Sequence, residues 1–398
     1  MTLATGRDYL AIPGPSVMPD RVLRAMHRAA PNIYEGELVD MVPELVEGLK
    51  GVARTEGACA IYIGNGHAGW EAAISNVFSR GDQALVCATG AFAHGWGEMA
   101  ARMGVGVEVL DFGRQSAVDP ARLKERLAAD REARIKAVMA VQVDTATSVR
   151  TDIAALRDAI DAAGHPALLM VDCIACLACD VFEMDAWGCD VMVTGCQKGL
   201  MVPPGLAFVY FNAHANAARE AADCVTSYWD WRPRVAPETF YQYFCGTAPT
   251  HHLYGLREAL SMIEEEGLAA VWARHERIAR AVWAAVEAWA AAGALRLNVA
   301  EPEIRSHAVT TVRTSPEHSR KLRTWVRQSA DLTLGKPIGM ADAEDPEGDS
   351  AFRIGHMGHL NAHMIMGALG AIEAGLKACD IPHGSGALGA AAEVLSRP

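Results

Sequence analysis

The chain lacks several features that would place it in a broad class at once. No apolar run approaches the roughly 18 residues that a membrane-spanning helix needs. The opening residues, MTLATGRDYLAIPGPS, lack the charged start and apolar stretch of a signal peptide. Lys and Arg number 36 against 48 Asp and Glu, a net charge of −12, so the basic excess typical of nucleic-acid-binding proteins is missing. We therefore expect neither a membrane nor a nucleic-acid partner.

Cysteine pairs at zinc-binding spacing are missing as well. The 398 residues include 10 cysteines, most of them within apolar segments. Cys173, Cys176 and Cys179 recur every three residues, but no further Cys or Cys/His pair accompanies them at zinc spacing. We therefore expect no metal site. Free buried thiols are typical of a reducing compartment, so the cysteine usage predicts a cytoplasmic protein.

Short apolar runs alternate with amphipathic segments over the first half of the chain. The runs predict strands at residues 58–63, 83–88, 106–111, 136–143, 167–172, 190–195 and 206–211. The intervening segments predict helices at Gly66–Ser79, Phe92–Met103, Pro120–Ala129 and Ile153–Ala163. Strands that are apolar throughout are buried on both faces, which indicates an α/β fold with a mainly parallel sheet between helices. The last strand follows its predecessor so closely that antiparallel pairing is open to it.

The pattern changes after Pro237. Long helical segments come first, including Leu268–Ala292, and strand signals follow at residues 306–314 and 351–358 with helices at 319–330 and 361–379. This arrangement is typical of a smaller α+β domain. We expect an N-terminal segment over residues 1–20 that joins the active site, a large domain over 21–270 and a small C-terminal domain over 271–398.

A glycine-rich turn, Gly64-x-Gly66-x-x-Gly69, follows the first predicted strand and opens a helix. This is the outline of a dinucleotide-binding fingerprint. A nicotinamide site also needs an acidic residue at the end of the next strand, and that strand ends in LVCATG. Backbone N–H groups of Gly66, His67 and Ala68 at a helix start would still favour a phosphate. A phosphate cradle and a ligand-free tight turn both remain open.

An ionisable residue lies at or just after the end of two further predicted strands. Asp172 ends the apolar run LLMVD, and Lys198 follows the run VMVTG. Ligands in open α/β sheets lie beyond the carboxyl ends of the strands, so both side chains would face one crevice with the glycine turn. Pyridoxal phosphate needs a lysine for a Schiff base, a carboxylate for its pyridine nitrogen and an anion cradle. The three features together predict a pyridoxal-phosphate site.

The motifs around these residues are familiar. TGCQKGLMVPPG, VDCIAC, GNGHAGWEAAISN, FRIGHMGHLNAHMIMGALGAIEAGL and IPGPSVMPDRVLRAM resemble the class V aminotransferases of the alanine-, serine- and aspartate–glyoxylate group. The resemblance runs from about Ile12 to Ala378. It implies a fold type I pyridoxal-phosphate enzyme, with a seven-stranded, mostly parallel sheet in the large domain and a smaller C-terminal domain. It also implies a homodimer with shared active sites.

The resemblance assigns a role to each matching residue. Lys198 would carry the Schiff base and move the proton, and Asp172 would pair with the pyridine nitrogen. The remaining roles are phosphate binding by Gly66, His67 and Gln197, stacking on the ring by Trp96, contact with the phenolic oxygen by Thr147 (with Thr145 as the competing assignment), contact with the partner subunit's phosphate by Thr247, and substrate binding by Arg353 and the backbone at Gly14.

The implied reaction is transamination between a small amino acid and a 2-oxo acid. Glyoxylate is the expected acceptor, so that glycine and a new 2-oxo acid are the products. Aspartate is the favoured donor, with serine and alanine as alternatives. An aspartate side chain needs a second cation, for which Arg232, Arg234, His251 and His252 are the candidates. Pyridoxamine–pyruvate transamination, or a lyase or desulfurase reaction on the same scaffold, remains the alternative.

Overall fold

A computed structural model of the chain describes residues 3–343 and 345–397. Met1 and Thr2 of the expected N-terminal segment, and Glu344 and Pro398 of the expected small domain, lie outside the described residues. The strands of the described part are β1 (Tyr9–Ala11), β2 (Ala58–Gly64), β3 (Gln83–Ala88), β4 (Gly106–Asp111), β5 (Ile135–Val141), β6 (Val143–Asp144), β7 (Val149–Arg150), β8 (Leu168–Asp172), β9 (Val191–Gly195), β10 (Gly205–Phe211), β11 (Arg296–Leu297), β12 (Val309–Arg313), β13 (Leu332–Leu334) and β14 (Ala351–Gly355). Its α-helices are α1 (Asp20–Met26), α2 (Glu37–Ala53), α3 (Gly66–Val77), α4 (Ala91–Arg102), α5 (Pro120–Ala129), α6 (Ile153–Ala162), α7 (Ala213–Ala218), α8 (Arg232–Val235), α9 (Thr250–Glu266), α10 (Leu268–Ala290), α11 (Pro316–Ala330), α12 (Ala362–Ala378) and α13 (Ala387–Ser396).

A seven-stranded sheet in the order β2-β10-β9-β8-β5-β3-β4 forms the centre of the molecule. β10 runs antiparallel to both of its neighbours, and the other pairings that join β9, β8, β5, β3 and β4 are parallel. The predicted α/β fold with a mostly parallel sheet is therefore confirmed. Because the β9–β10 connection carries no crossover helix, antiparallel pairing is the outcome for the last strand.

Apolar side chains fill both faces of this sheet. Every residue of β8 and of β9 is buried. One face packs against α3 and α4 through residues such as Trp70 and Trp96, and the other packs against α2, α5, α6 and α9. Burial on both faces explains why these strands are continuous apolar runs in the sequence.

One predicted strand, at residues 136–143, is shorter than expected. β5 ends at Val141, and Val143–Asp144 pairs instead with Val149–Arg150 in a separate antiparallel ladder. The change of direction lies at Gln142, whose N–H donates to the carbonyl of Asp172 at the end of the neighbouring strand. This bend brings residues 143–147 over the carboxyl edge of the sheet, where Asp172 lies.

A third apolar core lies between the antiparallel sheet β11-β12-β14 and helices α10 to α13. Along α10, Val271 packs in a core of the large sheet and Ile278 in this third core. We therefore propose that the domain boundary expected near residue 270 lies within this helix. In the N-terminal segment, β1 pairs in parallel with β13, so residues 12–16 are held between the two domains. Within the described residues, the structure contains no helix that could cross a membrane.

Candidate functional site

A cavity of about 240 Å³ opens at the carboxyl ends of β8 and β9. Its lining includes Asp172 from the end of β8 and Lys198 from the turn after β9, together with Gly66, His67 and Gln197. The neighbouring parallel strands end at the same edge of the sheet, which explains why residues 26 positions apart meet here. The structure thus brings together five of the residues that the sequence assigned to one site.

Asp172 is a buried carboxylate with two hydrogen-bond donors. The backbone N–H of Ile174 donates to Oδ1 at 2.6 Å, and the indole Nε1–H of Trp70 donates to Oδ2 at 2.9 Å. Burial raises the pKa of Asp172 to about 7, although both donors and the nearby Lys198 act in the opposite direction. The side chain therefore needs its donors, or a cationic ligand, to stay ionised at neutral pH.

Lys198 contacts the N-terminal segment. Its Nζ donates to the carbonyl of Pro13, and its own carbonyl accepts from the hydroxyl of Ser16 at 2.7 Å. A Cβ at Gly14, where φ is +94°, would lie only 2.5 Å from Lys198 Cδ, so glycine alone fits this approach. Burial and, to a smaller extent, the charge of Arg353 lower the pKa of Lys198 to about 8. An amine with this pKa can give up and take back a proton near neutral pH.

The glycine turn lies across the cavity from Lys198. Asn65 is the N-cap of α3, and its side chain accepts from the N–H of His67 at 3.1 Å. A Cβ at Gly66 would come within 2.3 Å of Ile174 Cδ1, so a larger residue there would require the Ile174 side chain to move. Gln197 contributes a side-chain oxygen that is buried without a partner among the described residues. Ala68, expected beside Gly66 and His67, lies in the first turn of α3 but not among the residues that line the cavity.

Trp96, the aromatic residue expected over the cofactor ring, is not among the residues that line the cavity. Trp96 is buried and stacks on Trp70 at 6.0 Å between ring centroids, and Phe92 lines the cavity instead. Phe92 and Trp96 are four residues apart on α4, so they share a face but lie about 6 Å apart along the helix axis. Phe92 is at the N-terminal end next to the cavity, and Trp96 lies one turn deeper. Trp70, which the sequence analysis did not single out, also lines the cavity.

Of the two candidate threonines, Thr145 lines the cavity and Thr147 does not. Thr147 is buried, and its hydroxyl bonds locally to the carbonyl of Asp144 at 3.4 Å and to the N–H of Val149 at 3.3 Å. The structure therefore favours the competing assignment, Thr145, for contact with a ligand oxygen. The two residues were indistinguishable in sequence because the bend after β5 decides which of them faces the cavity.

Arg353 lies on β14, in the expected small domain. Neither Arg353 nor Gly14 is among the residues that line the cavity, but Arg353 bonds to the lining residue Thr145. Its Nε donates to the carbonyl of Lys336 at 2.7 Å, and its Nη1 donates to the carbonyl of Thr145 at 2.9 Å. Burial lowers its pKa to about 10, which Asp144 opposes, so the guanidinium stays charged at neutral pH. A guanidinium has five N–H donors, so these two bonds leave donors for a carboxylate ligand.

Asp144 connects several parts of the site. Its Oδ2 accepts from the N–H of Phe92 at 2.8 Å, at the start of α4, and its Oδ1 accepts from the N–H of Ala146 at 2.9 Å. The preceding helix residue, Gly90, offers no side-chain cap, and a Cβ there would meet Asp144 Cγ at 2.4 Å. The carboxylate thus caps α4 and fixes the turn that carries Thr145. No motif in the sequence pointed to it.

The four candidate cations for a donor side chain lie elsewhere. The guanidinium of Arg232 bonds to Glu220, and Arg234 is buried against backbone carbonyls. His251 and His252 bond through Nε2 to the carbonyls of Arg28 and Pro204. None of the four is among the residues that line the cavity within the described part of the chain.

Thr247, expected to contact the partner subunit's phosphate, is not among the cavity residues described above. Thr247 is exposed on the loop before α9 and does not line this protomer's cavity.

The thiols of Cys173 and Cys176 bond to the side-chain oxygen of Gln142, at 3.6 Å and 2.9 Å, and burial raises the pKa of both. No cluster of three or more metal-ligating side chains is found among the described residues.

The cavity fits pyridoxal phosphate by the chemistry of its donors. It combines an amine of lowered pKa and a buried carboxylate with the start of α3, where backbone N–H groups favour a phosphate. Residues 9–335 match the family model described as aminotransferase class-V. The chain belongs to the class-V aminotransferase family. It is therefore a pyridoxal-phosphate-dependent aminotransferase.

Relatives of this class-V aminotransferase cover its whole length. It is 35% identical to a serine–glyoxylate aminotransferase of Methylorubrum extorquens, over 100% of this chain and 98% of the relative. It is 35% identical to an L-aspartate–glyoxylate aminotransferase of Paracoccus denitrificans, over 93% and 91%. A solved pyridoxamine–pyruvate aminotransferase from Mesorhizobium loti superposes with a TM-score of 0.88 at 26% identity, over 99% of both chains.

Proposed function

We propose that this aminotransferase moves an amino group from a small amino acid to glyoxylate, giving glycine and a 2-oxo acid. The observation that carries the proposal is the placement of Lys198 and Asp172 on one cavity beside the Gly66 cradle. The relatives named as serine– and aspartate–glyoxylate aminotransferases support glyoxylate as the acceptor.

The chain's own residues divide the work. Lys198 would attach the cofactor and carry the proton between the substrate's α-carbon and the cofactor, because its pKa of about 8 permits both protonation states. Asp172 would hold the ring nitrogen, Gly66, His67 and Gln197 the phosphate, and Thr145 the phenolic oxygen. When bound, pyridoxal phosphate supplies a ring that accepts the electron pair left at the α-carbon.

Substrate orientation falls to two further groups. Arg353 would bind the α-carboxylate of both substrates, since a planar, two-pronged donor matches a carboxylate. The backbone at Gly14, next to Lys198, would close the other side. Phe92 would cover one face of the ring in place of the expected Trp96.

The donor we propose is a small amino acid without a charged side chain, serine or alanine. Aspartate, favoured by the sequence, would need a second cation, and each of the four candidates is already bonded to Glu220 or to backbone carbonyls. An aspartate donor would therefore depend on a cation supplied from a partner subunit.

We also propose a cytoplasmic homodimer with shared active sites. Thr247 is exposed and remote from its own protomer's cavity, as a residue that reaches the partner's phosphate would be. Sedimentation of the Thr247→Ala variant, with its cofactor content measured, would test this. We expect a dimer with reduced cofactor occupancy, and a wild-type monomer that holds full cofactor would contradict the shared site.

The decisive experiment is a set of half-reactions. Purified protein loaded with pyridoxal phosphate would be mixed with serine, alanine, aspartate and glutamate in turn, and the cofactor's absorbance near the visible range followed. We expect serine or alanine to convert the spectrum fastest, glyoxylate to restore it, and Lys198→Ala to do neither. Equal conversion by Lys198→Ala would reject the assigned role of the lysine.

The pyridoxamine–pyruvate reaction remains the second candidate because of the fold match at 26% identity. That reaction uses free pyridoxamine, so it should proceed without a phosphate on the cofactor. The start of α3 at Gly66, which lines the cavity, argues for a phosphate site because backbone N–H groups at a helix start favour an anion. Activity with phosphate-free pyridoxamine and pyruvate would move the assignment to this reaction. A desulfurase would need an exposed nucleophilic cysteine, and none of the residues that line the described cavity is a cysteine.

A further inference from the structure

Trp70 is placed to act on the cofactor through Asp172. It lies on α3 with 1% of its surface exposed, and its Nε1–H donates to Asp172 Oδ2 at 2.9 Å. The other carboxylate oxygen accepts from the backbone N–H of Ile174 at 2.6 Å. The indole is thus the side-chain donor, and the backbone amide the main-chain donor, that hold this carboxylate.

Aromatic neighbours fix the direction of the indole N–H. Trp96 stacks on Trp70 at 6.0 Å with an interplanar angle of 17°, His67 lies 4.5 Å away, and Phe92 meets it edge-on at 6.3 Å. A ring packed on several sides loses little further freedom when it donates a hydrogen bond. The N–H therefore points at Asp172 before any ligand arrives.

We propose that Trp70 is a positioning residue for pyridoxal phosphate: its indole N–H orients Asp172 and keeps it as the carboxylate that pairs with the pyridine nitrogen. The proposal rests on the assigned cofactor and goes beyond it, because Trp70 acts through Asp172 on the ring nitrogen.

The electrostatics of the site explain why a donor is needed. Asp172 is buried, with Asp144 close enough to disfavour a second negative charge. Hydrogen bonds to a carboxylate stabilise its ionised form, and those to a charged acceptor are the stronger kind. Without the indole, the neutral acid becomes more favourable, and a neutral acid cannot form the ionic pair with a protonated pyridine.

The test compares two variants with two ligands. Trp70→Phe removes the donor but keeps an aromatic ring. Trp96→Phe is the matched control, since it keeps an aromatic ring against Trp70 and removes an Nε1–H that has no partner among the described residues. The ligands are pyridoxal phosphate and its 1-deaza analogue, in which carbon replaces the ring nitrogen. Dissociation constants are measured by titrating the cofactor-free proteins.

We expect Trp70→Phe to weaken pyridoxal phosphate binding by about tenfold or more, as for a lost hydrogen bond to a charged group. Binding of the deaza analogue should change by less than about twofold, because its ring offers Asp172 no nitrogen. Trp96→Phe should alter neither. Equal losses for both ligands would show a merely structural role and overturn the proposal, as would an unchanged affinity for pyridoxal phosphate.

Binding of pyridoxal phosphate by the wild-type protein distinguishes failure of the Trp70 proposal from failure of the cofactor assignment. If it does not bind pyridoxal phosphate at all, the cofactor assignment falls before any variant is compared, and the inference falls with it. If it binds the cofactor but Trp70→Phe behaves like Trp96→Phe, only the inference is lost.

A measurement on the unmutated protein covers the case in which Trp70→Phe does not fold. The chain has 9 tryptophans, whose indole N–H resonances can be resolved after ¹⁵N-tryptophan labelling. We expect one resonance to move when pyridoxal phosphate is replaced by the deaza analogue, because Asp172 then loses its cationic partner. Identical indole spectra for the two complexes would overturn the proposal.

Discussion

Arg353 and Arg234 are both buried arginines, with 5% and 1% of their surface exposed, yet their surroundings differ. Arg234 donates to the carbonyls of Ile61, Tyr243 and Tyr228 and lies between two tyrosine rings. Arg353 donates to two carbonyls and has the carboxylate of Asp144 nearby, beside the cavity. Burial of a cation therefore does not by itself mark a binding site.

The two guanidinium groups differ in which segments of the chain their N–H groups contact. The two Nη groups of Arg234 donate to carbonyls of β2 and of segments on either side of α8, so the residue holds those segments together, while its buried Nε has no partner among the described residues. Arg353 lies at the contact between the small domain and the Thr145 turn, which lines the cavity. We propose that Arg234 contributes to stability and Arg353 to ligand binding.

The largest effect should come from Arg353. We expect Arg353→Ala to lower kcat/KM by about a thousandfold, because a buried hydrogen-bonded charge pair with the substrate carboxylate is lost. Arg353→Lys keeps the charge but not the two-pronged geometry, and should recover only part of that loss. Steady-state kinetics with serine and glyoxylate measure both. A cofactor affinity that falls in parallel would show that Arg353 acts on the site as a whole.

Replacement of Arg234 should change stability and leave kinetics alone. We expect Arg234→Met to lower the free energy of unfolding by about 3 kcal/mol, because three buried carbonyls lose their donor. Denaturant unfolding measures the loss, and kcat/KM per folded molecule should equal that of wild type. A selective rise in KM for aspartate would instead return Arg234 to the donor site and erase the contrast with Arg353.

Replacement of Asp144 tests whether the carboxylate near Arg353 affects stability and substrate binding. We expect Asp144→Ala to cost about 2 kcal/mol of unfolding free energy, since α4 loses its cap and the Thr145 turn loses a bond. KM for both substrates should also rise by about tenfold as Arg353 loses its anion. Asp152→Ala is the matched control, because Asp152 caps α6 through Ala155 N–H at 3.1 Å, away from the cavity. Kinetic changes of similar size in both variants would contradict a special role for Asp144.

The smallest effect concerns His275, a buried group that stays neutral. Its Nδ1 faces the carbonyl of Val271 and its Nε2 accepts from Gly358, and burial lowers its pKa to about 3. Below its unfolded pKa of about 6.5 the unfolded chain takes up the proton first, so stability falls as pH drops from that value toward 3. From pH 7.5 to 5.5 this amounts to roughly 1 kcal/mol.

Unfolding curves over that pH range check the expectation. His275→Gln keeps an acceptor near Gly358 and removes the titration, so its stability should decline less than that of wild type between pH 7.5 and 5.5. His356 has a pKa lowered by burial to about 4 and remains in both proteins, so it cancels in the comparison. Parallel curves for the two proteins would assign the acid sensitivity to other groups.

The sequence was most informative where an apolar strand pattern and a reactive or glycine-rich motif lie in the same short segment. Asp172 ends the short apolar strand β8 and Lys198 lies in the turn after the short apolar strand β9, so both are found beyond the carboxyl edge of the sheet, as predicted. The Gly66 turn was recognisable from its glycine spacing between an apolar run and a helical segment. In each case, one segment of chain contains the whole signal.

The sequence by itself therefore determined the α/β class, the sheet strands and the pair of residues that face the cofactor cavity, because apolar period and strand-end chemistry are properties of contiguous residues. Tertiary structure alone decided that Phe92 lines the cavity in place of Trp96, that Thr145 lines it in place of Thr147, and that Trp70 donates to Asp172. These choices depend on how far along a helix axis a side chain lies and on the bend after β5. Such distances are set by packing between segments that are remote in sequence.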